Sequence, residues 1–273
     1  MVVASFILIL SFIGVYYWFL WGDYWIPLLS LLSAIALYSM GMSDSKTMYK
    51  SMKRVNDPVL ESAIILILFN IWIFIVFPFV SNSIELTSLG SIIFGFVFPY
   101  LIVVVYFNYE RSSVGLRISR SESDRFTAVI CSVMIIPRLA LILLNPQAIS
   151  LLLSNLESLV VGMIYLGFIV GFTEEFIFRG LIQNRMAIAS KSRVIGIIMT
   201  ASLFAAMHVF TVMAGQTATI GNVGNSLLYA LLTRLPLGII LGYVWNDSEN
   251  LLGVTLIHAS NNITYLLQTI IGL

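Results

Sequence analysis

The chain is a succession of long apolar runs broken by short polar segments. Residues 1–22, 24–43, 62–84, 86–109 and 250–273 contain no Asp, Glu, Lys or Arg. Between Arg193 and Arg234 only His208 could carry a charge. Each window reaches the ~20 residues that a helix needs to cross the hydrocarbon core of a bilayer. The pattern predicts nine helical spans, at 2–21, 24–42, 59–80, 88–107, 126–144, 158–182, 194–213, 224–245 and 250–272. The first two meet at a tight Gly22-Asp23 turn and could form one re-entrant hairpin, which would leave eight. No internal repeat, low-complexity tract or long charged linker divides the chain. The expectation is an all-α, polytopic integral membrane protein of eight or nine transmembrane helices, with residues 1–273 forming a single helical membrane domain.

The intervening segments alternate in charge. Segment 43–58 holds Lys46, Lys50, Lys53 and Arg54; segment 108–125 holds Arg111, Arg117, Arg120 and Arg125; segment 183–193 holds Arg185, Lys191 and Arg193. Segments 81–87, 145–157 and 214–223 hold neither Lys nor Arg. Basic loops stay on the cytoplasmic side, so nine spans place the N-terminus inside and the C-terminus outside. The 246–249 turn runs against this, since it should be inside yet carries only Asp247 and Glu249.

Composition narrows the picture. Charged residues make up 10% of the chain, against roughly 25% in soluble domains, too few to cover a surface facing water. The net charge of +1 offers no basic patch for phosphates, which argues against a nucleic-acid partner and leaves the lipid bilayer as the medium. A single cysteine, Cys131, excludes an internal disulfide and a CxxC metal site, and reads as a small core hydrophobe. The first apolar run lacks a basic n-region and a small-x-small cleavage site, so it reads as a retained span. Gly167-x-x-x-Gly171 and Gly238-x-x-x-Gly242 are small-residue stripes of the kind that let helices approach closely.

Against this background the buried ionisable groups stand out, because lipid makes them expensive to keep without a use. Glu175 and Arg179 lie four apart on a helix and can pair. Glu174, about 100° around the helix, has no same-helix cation and is left to act. A carboxylate in that setting suits general acid–base work. His208, four residues after Phe204, can share a water with Glu174. His258 and Asn262, also four apart, can aim N–H donors at one point, as an oxyanion requires. Counted from the predicted helix ends, Glu174 and His258 are each ~12 Å deep and His208 ~20 Å.

At these residues the chain resembles the CAAX prenyl endopeptidase family, also called the CAAX protease and bacteriocin-processing or Abi family. The motifs Glu174-Glu175-x-x-x-Arg179, Phe204-x-x-x-His208 and His258-x-x-x-Asn262 occur in that family's order, and the resemblance covers roughly 158–273. It implies a catalytic core over that region and an intramembrane, glutamate-type endopeptidase; a site with a spare base and two oxyanion donors is expected to need no metal or other cofactor. It implies that Glu174 and His208 activate water and that His258 and Asn262 hold the oxyanion. Glu175, Arg179 and Phe204 would give structural support. The substrate would be a prenylated CAAX-type protein or another membrane-associated peptide. The membrane would be the cell membrane in a prokaryote and the endoplasmic reticulum in a eukaryote.

Two other readings compete. Glu174, His208 and His258 match the His₂Glu ligand set of catalytic zinc, although no HExxH is present and Glu174 would then be spent as a ligand. Alternatively the motifs only hold helices together, in a membrane scaffold or a bacteriocin-immunity protein. Arg138 and Arg234 read either as cations snorkelling to the interface or as captors of a substrate's C-terminal carboxylate.

Overall fold

A computed structural model of the protein describes residues 55–109, 142–211 and 223–271, together with scattered positions at 35, 114, 116, 131–132, 135–136 and 139–140. The described residues are helical and contain no strand. The predicted spans at 2–21 and 24–42, and most of 126–144 with Arg138, lie outside them. The helices are α1 (Pro58–Val80), α2 (Ile84–Tyr106), α3 (Pro146–Ser154), α4 (Leu156–Ser190), α5 (Arg193–Thr211), α6 (Val223–Ser248) and α7 (Leu251–Ile271). Among the described residues, α1, α2, α4 and the Ser226–Asn246 part of α6 are long and apolar enough to cross a membrane. Side chains such as Phe79, Tyr106 and Leu144 are more than three-quarters exposed, as suits an integral membrane protein whose outer surface meets lipid rather than water.

Local chemistry sets the boundaries. The Ser83 hydroxyl accepts the Leu86 N–H at 3.2 Å and starts α2 four residues earlier than hydropathy predicts. Asn145 Oδ1 accepts the N–H groups of Gln147 and Ala148 at 3.0 and 3.2 Å, with Pro146 in the first turn. This makes a helix, α3, of a stretch expected to be loop. Asn250 Oδ1 likewise caps α7 through Leu252 and Gly253. Lys191 ends α4 in the left-handed conformation at φ 54°. The span predicted over 158–182 therefore continues to Ser190, and Arg185, expected in a basic loop, is fully buried in helix.

Several helices contain wide i→i+5 turns. Those at Ile71–Val76 and Ile93–Val97 lie just before Pro78 and Pro99. A proline lacks an N–H and crowds the carbonyl four residues back, so a widened turn relieves the clash without ending the helix.

The chain forms two compact units, Met1–Val59 with Ile182–Asn246 and Leu60–Leu181 with Asp247–Leu273. In the second, the Trp72 ring stacks on Phe94 with centroids 5.7 Å apart. It also lies directly against Gly90, where any Cβ would collide with the indole. Phe96 of α2 packs on Phe172 and Phe176 of α4, at 5.2 and 4.8 Å. Tyr109 donates to buried Glu61 at 2.6 Å, tying the end of α2 to the start of α1. Ile142, Ala148 and Leu267 close a smaller core beneath α3. Cys131 is half-buried rather than interior.

The described part of the other unit is built on Ile197, Ala201 and Ala205 of α5 against Leu235 and Ile239 of α6. Gly238 and Gly242 make this approach possible. A Cβ on Gly238 would meet that of Ala201 at 3.0 Å, and one on Gly242 would lie 2.8 Å from Gln183 Oε1. Gln183 donates to the Gly242 carbonyl at 2.9 Å and Trp245 donates to Asn184 Oδ1 at 2.9 Å. These bonds satisfy polar groups that hydropathy had assigned to a loop.

Candidate active site

Glu174 and Glu175 sit in one five-residue α-helical turn, Gly171–Glu175, between two widened stretches, Met163–Val170 and Phe176–Gln183. Widened turns of this kind recur where side chains must be aimed for function. The ion pair expected from the spacing forms, with Arg179 Nη1 donating to Glu175 Oε1 at 3.1 Å and both side chains fully buried. The Arg179 guanidinium also lies over the Phe178 ring, 6.0 Å from its centroid.

His258 enters between the two carboxylates from α7. Its Nδ1 lies 2.6 Å from Glu175 Oε1, and its Nε2 lies 3.7 Å from Glu174 Oε2. His258 is 1% exposed, Glu175 0% and Glu174 15%, so Glu174 is the member of the cluster with an open side. Gly171 of α4 faces the His258 ring and the Ala259 backbone of α7, where an added Cβ would make ordinary contacts at 3.8 Å. Tyr165, half-buried, lies one helical stretch earlier on α4. No sequence spacing announced it.

Asn262 differs from expectation. Its Nδ2 donates to the Leu166 carbonyl of α4 at 2.9 Å. That carbonyl lies in a widened stretch and also receives the Gly171 N–H. A primary amide carries two hydrogens, so one is committed to the helix contact and one is left for another acceptor. Glu175 holds one nitrogen of His258 and Leu166 one amide hydrogen of Asn262, so each side chain has one further polar position.

In the other unit, His208 Nδ1 is 2.8 Å from the Phe204 carbonyl, and the two rings are 4.5 Å apart. A carbonyl only accepts, so Nδ1 carries the hydrogen. Phe204 is fully buried and His208 partly so. Arg234 is half-buried within α6. Among the described residues no three His, Cys, Asp or Glu side chains converge in a way that could hold a metal ion.

The chain is thus a set of apolar helices, several long enough to cross a membrane, in which two carboxylates close on one imidazole below the surface. The comparison with protein families agrees with the motifs. Residues 156–264 match the family of Rce1-like proteins, the type II CAAX prenyl endopeptidases, a protease family. The matched stretch contains Glu174, His208, His258 and Asn262 and supports the resemblance to the CAAX protease family that the motif order implied. No curated protein and no solved structure matches the chain.

Proposed function

We propose that the protein is an intramembrane endopeptidase that hydrolyses a peptide bond near the C-terminus of a membrane-associated substrate, a prenylated CAAX-type protein being the first to try. The observation that carries the reading is the Glu174–His258 approach at 3.7 Å, within the segment that matches a prenyl endopeptidase family. That separation is too long for a hydrogen bond between the two groups. A water about 2.8 Å from each would complete the triangle.

The chemistry needs only these side chains. Glu174 takes a proton from water as the water oxygen attacks the carbonyl carbon. The C–N bond then breaks, and the leaving amine receives the proton that Glu174 holds. His258, when it carries a hydrogen on Nε2, and the second amide hydrogen of Asn262 stabilise the oxygen that becomes charged. We take His208 as the second group that activates the water, as the resemblance of its motif implies. Glu175 and Arg179 supply support, and no metal enters the scheme. The membrane would be the cell membrane in a prokaryote and the endoplasmic reticulum in a eukaryote.

The test is cleavage of a farnesylated CAAX peptide by purified protein, with the Glu174→Gln variant as control. Release of the C-terminal tripeptide by the wild type and not by the variant is the expected result. Equal release by both would place the activity elsewhere. No release from any prenylated or unprenylated peptide would favour the scaffold reading.

A further inference from the structure

We propose that Glu175 is a positioning residue that holds the hydrogen of His258 on Nδ1 and so makes Nε2, the nitrogen beside Glu174, the one that gains and loses a proton. The inference deepens the peptidase reading and rests on it only for its consequence in turnover; the proton position can be measured without substrate.

The argument starts from one oxygen. Glu175 Oε1 lies 3.1 Å from Arg179 Nη1 and 2.6 Å from His258 Nδ1. A guanidinium stays charged and only donates, and this one is fully buried beside a fully buried carboxylate. Glu175 Oε1 accepts from Arg179, and the same oxygen meets the imidazole as an acceptor. The short contact to His258 then requires the hydrogen to be on Nδ1. Glu175 differs from its neighbour Glu174 in this respect: one carboxylate is bound to a cation and orients, while the other faces the second ring nitrogen at 3.7 Å.

The ring has little freedom to turn away. His258 is almost completely buried, and its Nδ1 is held by Glu175. A histidine whose one nitrogen is held by an acceptor presents the other in a defined protonation state. Acid–base sites built on imidazole depend on such a holder. Adjacent glutamates on one helix can do both jobs here because α7 brings a single ring between them.

Two histidines in the whole chain make the test direct. Protein labelled with 15N-histidine gives four ring nitrogens, and the His208→Gln variant assigns those of His258. At a pH high enough to neutralise the rings, the expected spectrum shows His258 protonated on Nδ1 and bare on Nε2. A neutral His258 protonated on Nε2 overturns the proposal, and this wild-type measurement does not depend on any variant folding. Replacing the buried pair together, Glu175→Leu with Arg179→Leu, leaves no stranded charge. The expected result is loss of the Nδ1–H signal and a fall in kcat of about 10²–10⁴-fold with KM unchanged. Retention of the Nδ1–H form in a folded double variant overturns the proposal as well. An Nδ1–H signal in a protein that cleaves nothing supports the positioning and sinks the peptidase reading. Cleavage by a protein whose His258 is Nε2–H does the reverse.

Discussion

The side-chain amide of Asn262 donates to the carbonyl of Leu166 at 2.9 Å, joining α7 to α4 one turn beyond His258. The bond fixes the plane of the amide and hence the direction of its second hydrogen. Asn262→Ala should remove both. The Leu166 carbonyl keeps the Gly171 N–H, so the loss of stability should be about 1 kcal/mol. The loss of an oxyanion donor should lower kcat by about 10²–10³ with KM nearly unchanged. Asn262→Asp should be worse on both counts, because a carboxylate would face the carbonyl and the developing oxyanion. Steady-state kinetics with a melting curve in detergent separates the two effects. Wild-type kcat in both variants would take Asn262 out of the chemistry.

Glu174→Gln should abolish cleavage and leave the protein folded. Glu174 keeps an open side at 15% exposure, whereas Glu175 is closed in with Arg179. A neutral amide at position 174 strands no buried cation, but it cannot take a proton from water. The melting temperature should stay within a few degrees while turnover falls below detection. A Glu174→Gln enzyme that still turns over would transfer the role of base to another residue.

Much of this was legible in the sequence, for physical reasons. An apolar window of 20 residues has few ways to fold in lipid, so Pro58–Val80 and Ser226–Asn246 fall within about two residues of the hydropathy prediction. Glu175 and Arg179 pair because four residues is one helical turn. Polar residues misled where they are buried: Gln183, Asn184 and Arg185 look like a loop but are interior to a helix, satisfied in part by Gly242 and Trp245. Capping misled too, since Ser83 and Asn145 start helices inside stretches taken as loop. The insertion of His258 between two carboxylates could not be read from spacing, because it depends on how α7 meets α4. Spacing could only place His258 and Asn262 on one face of α7 as two N–H donors.

The two glycine stripes should respond differently to a methyl group. A Cβ at Gly167 would lie 3.6 Å from that of Ala259, an ordinary contact. One at Gly242 would lie 2.8 Å from Gln183 Oε1 and 2.9 Å from Ile197 Cγ2, and it would disturb the bond from Gln183 to the Gly242 carbonyl. Gly242→Ala should therefore cost about 1–3 kcal/mol from overpacking. Gly167→Ala should cost less than about 0.5 kcal/mol, since alanine also favours the helix. Thermal unfolding of the two variants in the same detergent checks this. Equal melting temperatures would mean that α6 shifts to accept the methyl.

Catalysis should survive strong chelation. A zinc centre would need Glu174, His208 and His258 as ligands, each with an electron pair turned toward the ion. His258 Nδ1 is already committed to Glu175, which leaves Nε2 as its ligating nitrogen. A metal there would occupy the position beside Glu174 where the proposed water sits, and Glu174 would become a ligand and cease to be a base. The metal-free scheme keeps Glu174 as the base and needs no Lewis acid. Cleavage of the farnesylated peptide should therefore be unchanged after incubation with phenanthroline and dialysis, and metal analysis of that active sample should find far less than one zinc per chain. Activity that vanishes with the chelator and returns on adding zinc would replace this scheme with the His₂Glu centre.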